Sequence, residues 1–225
     1  NIGDIIQINT TKVNSSGLKL GVYQYITNIV GNVVYFGFSV TDSLLISDIT
    51  TVVVYKANEN ISIKDINFRF ITNSGQQGIS LQNTFNCKIS GLKAYGGGGN
   101  FGLVAFSISG VKIIADNLYA DGFLDIPRLA YGYGVNVSGH DIYVKNSLFN
   151  NCKHGITAGS NDFVSTNITY DGNTTTNGGG TSTIDAHSTC YDVNIINNNV
   201  YGITQTGIWL RGKRGVIKNN VIIGS

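Results

Sequence analysis

The stretch DVNIINNNVYGI at residues 192–203 and the stretch RGVIKNNVIIGS at residues 214–225 decide the fold. Both place apolar residues around asparagines, and Asn198 and Asn220 fall at the same position of the shared pattern. The interval between the two stretches is about that of one coil of a β-helix. Stacked asparagines that bond nearby backbone are typical of a repeated turn, so we expect both to be structural.

The same frame, an anchor residue followed by an apolar residue five positions later, recurs along the chain at intervals of about one coil. The anchors are Ile63, Ile89, Ile113, Val144, Ser165, Ile195 and Ile217. A second strand signal, usually Gly and an apolar residue, lies between anchors: GISL at 78, GLVA at 102, GVNV at 134, GITA at 155, TIDA at 183 and GIWL at 207. Because apolar and polar residues alternate and no segment has helical periodicity, we predict an all-β, single-stranded right-handed parallel β-helix.

An antiparallel sandwich of similar short strands is the alternative fold. The distance from a second strand to the next anchor is nearly constant, whereas the distance from an anchor to the second strand varies widely. We therefore expect insertions at one turn only, which is typical of a solenoid, and such insertions often project from the binding face. The insertions at 119–133 and 170–182 flank a short turn, which predicts a groove floored by Lys153 and His154. The candidate substrate-binding residues in and beside these insertions are Asp125, Arg128, Tyr131, Tyr133 and Asp171.

The N-terminal segment, residues 1–57, differs from the repeat. Gly31-Asn32 lies between two alternating runs in ITNIVGNVVYF, a two-residue hairpin signal, and GDIIQI supplies another strand. We expect residues 1–57 to form a β-rich segment that leads into or caps the parallel β-helix, which comprises residues 58–225. Since VIIGS ends inside a repeat and would leave an apolar coil edge uncovered, we expect the natural protein to continue.

Composition excludes several classes of function. The chain has 225 residues, 42% of them hydrophobic, with 29 Gly and one Pro, which predicts a folded protein with many tight turns. The net charge is +2 and the basic residues are spread out, so no nucleic-acid partner is expected. No apolar run is long enough to cross a bilayer, and the GGGG run lacks the features of a phosphate loop. The three cysteines lack metal-type spacing and are expected to be buried, and we predict no metal and no cofactor.

The repeat alignment also predicts which side chains face outward. One inward column is Ile79, Leu103, Val135, Ile156, Ile184 and Ile208, and the next is Leu81, Ala105, Val137, Ala158, Ala186 and Leu210. The residues between these columns point outward. Neighbouring coils are about 4.8 Å apart, so Asp185, His187, Trp209 and Arg211 are expected to form a two-by-two patch.

This patch has the chemistry of a sugar-modifying site. Arg211 can pair with a uronate, Trp209 offers a flat apolar face, and His187 beside Asp185 can act as an acid or a base. A base can abstract the proton next to a carboxylate when a cation stabilises the developing charge, and elimination or epimerisation follows. The structural alternative is that Asp185 accepts hydrogen bonds from the preceding loop and that the arginine is solvated.

The residues also resemble known families. The coils resemble pectate-lyase-like right-handed β-helices, and GDIIQI with YQYITNIVGNVVYF is similar to segments that precede the helix in phage tailspikes and bacterial polysaccharide-active proteins. IDAH followed by GIWLRG resembles the Asp-Pro-His motif and downstream Arg of mannuronan C5-epimerases. That resemblance implies proton exchange by His187 and carboxylate binding by Asp185 and Arg211. Ala186 replaces the motif's Pro, and Ser182 stands at the place of its Tyr.

Three functions follow from these features. The first is a phage tailspike, a virion tail component that binds and depolymerises a bacterial surface polysaccharide; the resemblance implies a homotrimer. The second is a secreted bacterial lyase or C5-epimerase acting on an acidic, uronate-containing polysaccharide. The third is a carbohydrate-binding or structural spike without catalysis. Hydrolysis by paired carboxylates remains open through Asp125, Asp171 and Asp185.

Overall fold

A computed structural model describes residues 1–37, 43–70, 77–96, 104–123, 132–203 and 205–224. In these ranges the chain is almost all β, with one 3-10 turn at Ile46–Asp48 and no α-helix. An antiparallel N-terminal sheet has the order β3-β2-β1-β4. Its strands are β1 (Ile5–Thr10), β2 (Val22–Val30), β3 (Val33–Phe36) and β4 (Ile49–Tyr55). The pairing of Val30 with Val33 confirms the hairpin predicted at Gly31-Asn32.

The rest of the described chain is a parallel β-solenoid of about six turns, which confirms the predicted fold class. Its strands are β5 (Asn58–Glu59), β6 (Ser62–Lys64), β7 (Asn67–Arg69), β8 (Gln77–Ser90), β9 (Lys93–Tyr95), β10 (Val104–Asp116), β11 (Tyr119–Asp121), β12 (Tyr133–Lys145), β13 (Leu148–Asn150), β14 (His154–Ala158), β15 (Ser165–Asp171), β16 (Thr174–Thr176), β17 (Ser182–Ala186), β18 (Cys190–Ile196), β19 (Asn199–Ile203), β20 (Thr206–Leu210), β21 (Val216–Lys218) and β22 (Val221–Gly224).

Each coil has three faces, not the two that the strand signals indicate. Face A contains the first parts of β8, β10 and β12, followed by β14, β17 and β20. Face B contains the second parts of β8, β10 and β12, followed by β15, β18 and β21. Face C is the stack β7-β9-β11-β13-β16-β19-β22. The anchor frame combined two of these faces, since an anchor such as Ile89 lies on face B and the apolar residue five positions later, Ala94, lies on face C.

The core consists of inward columns, as expected, but the register of the second coil differs from the prediction. Phe106 stacks between Ile79 and Val135, and Ile108 stacks between Leu81 and Val137. The prediction placed Leu103 and Ala105 there; Ala105 was wrong, and Leu103 lies outside the described residues. Phe106 is fully buried, and such a large side chain contributes more apolar area to the core than Ala105 can. The three cysteines are buried, as predicted: Cys87, Cys152 and Cys190.

Residues with left-handed backbone set the register of the coils. One column on face B is Asn60, Asn86, Lys112, Asp141, Asn167, Asp192 and Arg214, and another at the turn from face B to face C is Asp65, Gly91, Asn117, Asn146, Gly172, Asn197 and Asn219. The spacing varies from coil to coil, but it varies in step in the two columns. One residue from each column, such as Asn60 with Asp65, therefore marks each coil. The anchors at Ile113 and Ser165 were therefore wrong, and Ala115 and Tyr170 occupy those positions. Asn, Asp and Gly dominate the columns because they tolerate positive φ.

The corrected register reveals a second place of insertion. Residues 159–164 lie between β14 on face A and β15 on face B, so the prediction of insertions at one turn only was wrong. This loop receives the N-terminal segment: Gly21 pairs with Phe163, and the Tyr23 ring stacks on the Phe163 ring with centroids 4.6 Å apart. The segment lies along the flank of the solenoid, since Tyr25 also packs on Phe85 of the first complete coil.

The asparagine ladder inside the turn from face B to face C is structural, as predicted. Asn173 donates to Asn198 Oδ1 at 3.0 Å, and Asn198 donates to Asn220 Oδ1 at 3.0 Å and to the carbonyl of Tyr170 at 3.0 Å. Asn198 is fully buried. Asn173 and Asn198 each donate to the asparagine on the next coil, and a buried donor without its acceptor carries the full desolvation cost. The ladder therefore couples the stability of consecutive coils.

Asn198→Ala is expected to lower the free energy of unfolding by about 3 kcal/mol, because the buried amide groups of Asn173 lose their acceptor. Chemical denaturation measures the change. The matched control is Asn197→Gly: this neighbour is exposed, has φ 56 and loses only exposed side-chain hydrogen bonds, with Asp171 and Asn219. The control is expected to change stability by only about 0.5 kcal/mol. Equal losses in the two variants would contradict a special role of the buried ladder.

His140 is expected to make the free energy of unfolding depend on pH. Its ring is buried and bonds to Thr166 Oγ1, and burial lowers its pKa to about 4 although the charge of Asp192 opposes the shift. Between the ordinary histidine pKa of about 6.5 and this lowered value, the unfolded chain binds a proton that the folded chain does not. The free energy of unfolding is therefore expected to fall by about 3 kcal/mol as the pH falls through this range. Denaturation of wild type and of His140→Gln at several pH values checks this; an unchanged slope in the variant would refute it.

Candidate functional site

The predicted four-residue patch is assembled on face A of the last two coils. Asp185 lies on β17 between the inward residues Ile184 and Ala186, and it pairs in register with Trp209 on β20. The backbone N–H of Arg211 donates to the carbonyl of Ala186 at 2.9 Å, which continues this register past the end of β20. The alternation of the strands therefore points the four side chains of the patch to one side of the sheet.

Asp185 is the centre of the contacts in the patch. Arg211 donates from Nε to Oδ1 at 3.2 Å and from Nη2 to Oδ2 at 2.6 Å, a two-point pair. His187 Nε2 lies 3.4 Å from Asp185 Oδ2. The Arg211 guanidinium also lies over the Trp209 ring, 4.6 Å from its centroid. The carboxylate and the indole together hold the guanidinium in one orientation.

The electrostatics keep Asp185 ionised. Burial alone would raise the pKa of this carboxyl, but the hydrogen bonds and charges of His187 and Arg211 outweigh burial and hold its pKa below the ordinary value. Only 3% of the Asp185 side chain is exposed, compared with 33% for both His187 and Arg211. Trp209 is 41% exposed. The groups that can touch a ligand are therefore the imidazole, the guanidinium and the indole, while Asp185 contacts the imidazole and the guanidinium from beneath.

Gly159 explains how His187 fits into the column. A Cβ atom at Gly159 would lie 2.7 Å from the Cβ of His187, and the backbone there has φ +143. Any other residue at this position would collide with the histidine and strain the backbone. The two residues are vertical neighbours on successive coils, since His187 N–H donates to Ala158 O at 3.0 Å and Gly159 N–H donates to Val137 O at 3.0 Å.

Several predicted binding residues lie away from this patch. His154 is only 5% exposed and bonds to the carbonyl of Ser182, so it does not floor an open groove; burial lowers its pKa. Its ring lies 5.2 Å from the ring of Tyr133. Lys153 is half-buried in the adjoining turn. Asp171 lies at the turn from face B to face C, where it accepts hydrogen bonds from Tyr143 and Asn197. The remaining predicted residues, Asp125, Arg128 and Tyr131, lie outside the described residues.

Comparison with known proteins finds similarity to a phage depolymerase and to phage tailspikes. No protein-family model matches it. A capsule K1-specific depolymerase of Klebsiella phage K64-1 is 26% identical over 177 residues, which make up 69% of this chain and 18% of the depolymerase. Two solved tailspikes superpose on 99% of the chain: gp61 of Pseudomonas phage phi297, with a TM-score of 0.67 and 15% identity, and gp49 of Pseudomonas phage LKA1, with a TM-score of 0.62 and 14% identity.

These tailspikes share the fold of this chain. The chain covers 38% and 39% of their lengths, and less than a fifth of the depolymerase. In the described ranges no group of three or more His, Cys, Asp or Glu side chains could hold a metal ion. Among the same residues no helix is long and apolar enough to cross a membrane.

A second feature, which the sequence did not reveal, is a groove of about 430 Å³ between the N-terminal sheet and face A. Its floor includes Ser107, Ser109 and Ser138, and its walls include Tyr55 and the loop 159–164. Because the anchor was predicted at Ser165 and not at Tyr170, residues 159–164 were not identified as an inserted loop. The repeat of left-handed Asn and Asp residues at 141, 167 and 192 is the sequence signal that locates it.

Proposed function

We propose that this chain is part of a phage tailspike that binds a bacterial surface polysaccharide and depolymerises it at the Asp185 patch. The observation that carries the proposal is the partly exposed trio of His187, Arg211 and Trp209, in which one buried carboxylate holds His187 and Arg211 and the guanidinium lies over the Trp209 ring. This trio combines a base, a cation and an aromatic platform, the groups required for eliminative cleavage next to a uronate. The natural assembly proposed is a homotrimer in the virion tail.

The similar proteins support the substrate class. One relative is named as a depolymerase specific for capsule K1, and the two solved structures are named as tailspikes. A bacterial capsule is therefore the first class of polymer to test, and the K1 capsule is the first member. The net charge of +2 and the exposed Arg211 are compatible with an acidic polymer.

The proposed reaction assigns one step to each group. The Nε2 atom of His187 faces Asp185, so Nδ1 takes the proton from the carbon next to the uronate carboxylate. Arg211 stabilises the charge that develops on that carboxylate. The electron pair of the broken C–H bond forms a carbon–carbon double bond, the glycosidic bond at the neighbouring carbon breaks, and its oxygen leaves with a proton from water. Trp209 carries the sugar ring.

Elimination is favoured over hydrolysis by the arrangement of carboxylates. Hydrolysis by paired carboxyl groups needs two of them about 5–9.5 Å apart across the scissile bond. Asp185 is buried and engaged with Arg211 and His187, and Asp171 belongs to a different corner of the coil. Within the described ranges the patch therefore offers a base and a cation in place of two accessible carboxylates.

Incubation with purified capsular polysaccharides tests the proposal. Chain length is followed by size-exclusion chromatography, first with the K1 capsule and then with a panel of acidic and neutral capsules. The control polymer is an intact sample of whichever capsule the protein cleaves, with its carboxylates reduced to alcohols beforehand. We expect cleavage of the native polymer and none of the reduced one. Altered C5 configuration without shortening would instead support an epimerase, and saturable binding without any product would support a binding spike.

A further inference from the structure

We infer that the groove between the N-terminal sheet and face A is a binding cleft for neutral sugar residues of the same polysaccharide chain whose acidic sugar lies at His187 and Arg211. This inference rests on the proposed function and extends it to a substrate class: a repeat with both neutral and acidic sugars, bound along the solenoid axis. The groove's volume of about 430 Å³ falls in the usual range for ligand sites, about 300–1,000 Å³.

The groove and the patch form one continuous surface. Ser109 pairs with Ser138, Gly159 follows on the next coil, and His187 and Arg211 occupy the following two coils. Gly159 both lines the groove and contacts His187. Since each coil adds about 4.8 Å, Ser138 and Ser109 lie about 10 and 14 Å from His187 along the axis. A polysaccharide that follows this column reaches both regions.

The lining of the groove differs in charge from the patch. Its polar groups are mainly hydroxyls and amides, which can both donate and accept hydrogen bonds, as sugar hydroxyls require. They belong to Gln7, Gln82, Asn83, Ser107, Ser138 and Ser160. Among the described residues that line the groove, Asp162 is the one that carries a charge, and it lies 3.6 Å from Lys19. The groove therefore suits neutral sugars, while the cation that suits a uronate lies at Arg211.

The walls of the groove are held in place before any ligand binds. Tyr23 is buried, stacks on Phe163 and donates from its hydroxyl to Asn83 Oδ1 at 3.1 Å. The backbone N–H of Val164 donates to Gly21 O at 2.9 Å, which fixes the loop to the N-terminal sheet. A preformed wall lowers the ordering cost of binding, so hydroxyl contacts along the floor can contribute to affinity.

Filling the groove tests the inference. Ser138→Trp places a large side chain on the floor, whereas Asn194→Trp is the control, a half-buried outward position on face B. Both changes are made in the His187→Ala protein, so that binding is measured without turnover. The probes are K1-capsule oligosaccharides of increasing length, with titration calorimetry as the readout. We expect Ser138→Trp to weaken binding of the longer oligosaccharides by about tenfold or more and Asn194→Trp to leave it unchanged.

The outcomes separate this inference from the proposed function. Equal affinity in the two tryptophan variants overturns the groove as a cleft, whereas no saturable binding of any oligosaccharide to the His187→Ala protein overturns both the cleft and the proposed function. Cleavage by the otherwise wild-type protein with an unchanged KM after Ser138→Trp overturns it while the proposed function stands. Weakened binding after Ser138→Trp, together with full turnover in His187→Ala, supports the cleft and overturns the catalytic proposal. Circular dichroism of each variant shows whether it is folded; a misfolded Ser138→Trp is replaced by Ser109→Tyr on the same floor.

Discussion

Replacing His187 with alanine is expected to lower the turnover of the cleaved polysaccharide by about 10²- to 10⁴-fold, the usual contribution of a general base. The physical reason is that His187 is a partly exposed imidazole whose orientation Asp185 sets from beneath, at 3.4 Å. Binding is expected to change little, because Arg211 and Trp209 remain in place. The measurement is kcat and KM from the rate of chain shortening, together with the affinity of the variant for the uncleaved polymer.

The control for His187 is His154, a second histidine on the same face. Its side chain is buried and bonds to the carbonyl of Ser182, so His154→Gln is expected to affect stability more than turnover. Unchanged turnover in His187→Ala, with a fold confirmed by circular dichroism, would contradict the proposed base.

Replacing Arg211 with lysine is expected to lower kcat by about 10- to 100-fold, since removal of one preorganised charge-stabilising donor costs about 10²–10³ and lysine retains part of the charge. The variant keeps a cation near the buried Asp185, so the fold is not left with an isolated charge. It loses the two-point pair with Asp185 and the planar stack on Trp209. The loss is expected in kcat, because the charge on the uronate carboxylate grows in the transition state.

Arg214 provides a matched control for this change. It makes the same two-point pair with Asp192, at 2.7 Å for both hydrogen bonds, between the same two coils but on face B. This pair is exposed, and exposed pairs contribute only about 0–1 kcal/mol. Arg214→Lys is therefore expected to retain full turnover. Equal effects of the two substitutions would show that the arginines act only through the stability of the last coils.

The parallel coils and the patch were predictable from the sequence for a simple reason. Strand alternation gives the direction of each side chain once two strands are in register, and TIDA and GIWL are correctly aligned. Asp185 and Trp209 therefore fall opposite each other. The burial of Asp185 beneath His187 and Arg211 was not predictable, because strand alternation does not determine which outward side chain covers another.

The register of two coils, the one that contains Phe106 and the one that contains Tyr170, was not predictable from apolar spacing alone. Apolar residues fill most positions of VAFSISGVKII, so Ala105 and Phe106 fit the pattern equally well until packing selects the larger side chain for the core. The loop 159–164 depends on contacts with Gly21 and Tyr23, which lie far earlier in the chain, in the N-terminal segment. Local patterns do not contain such a contact, and the groove was missed with it.

The chemical form of the newly made chain ends tests the central proposal most directly. Polysaccharide cleaved by the wild-type protein is analysed by mass spectrometry and by the ultraviolet absorbance of the product, in parallel with His187→Ala and Arg214→Lys. We expect one unsaturated uronate for each bond broken by wild type and by Arg214→Lys, and almost none with His187→Ala. Saturated products formed by addition of water, at a rate that His187→Ala leaves unchanged, would contradict eliminative cleavage at the Asp185 patch.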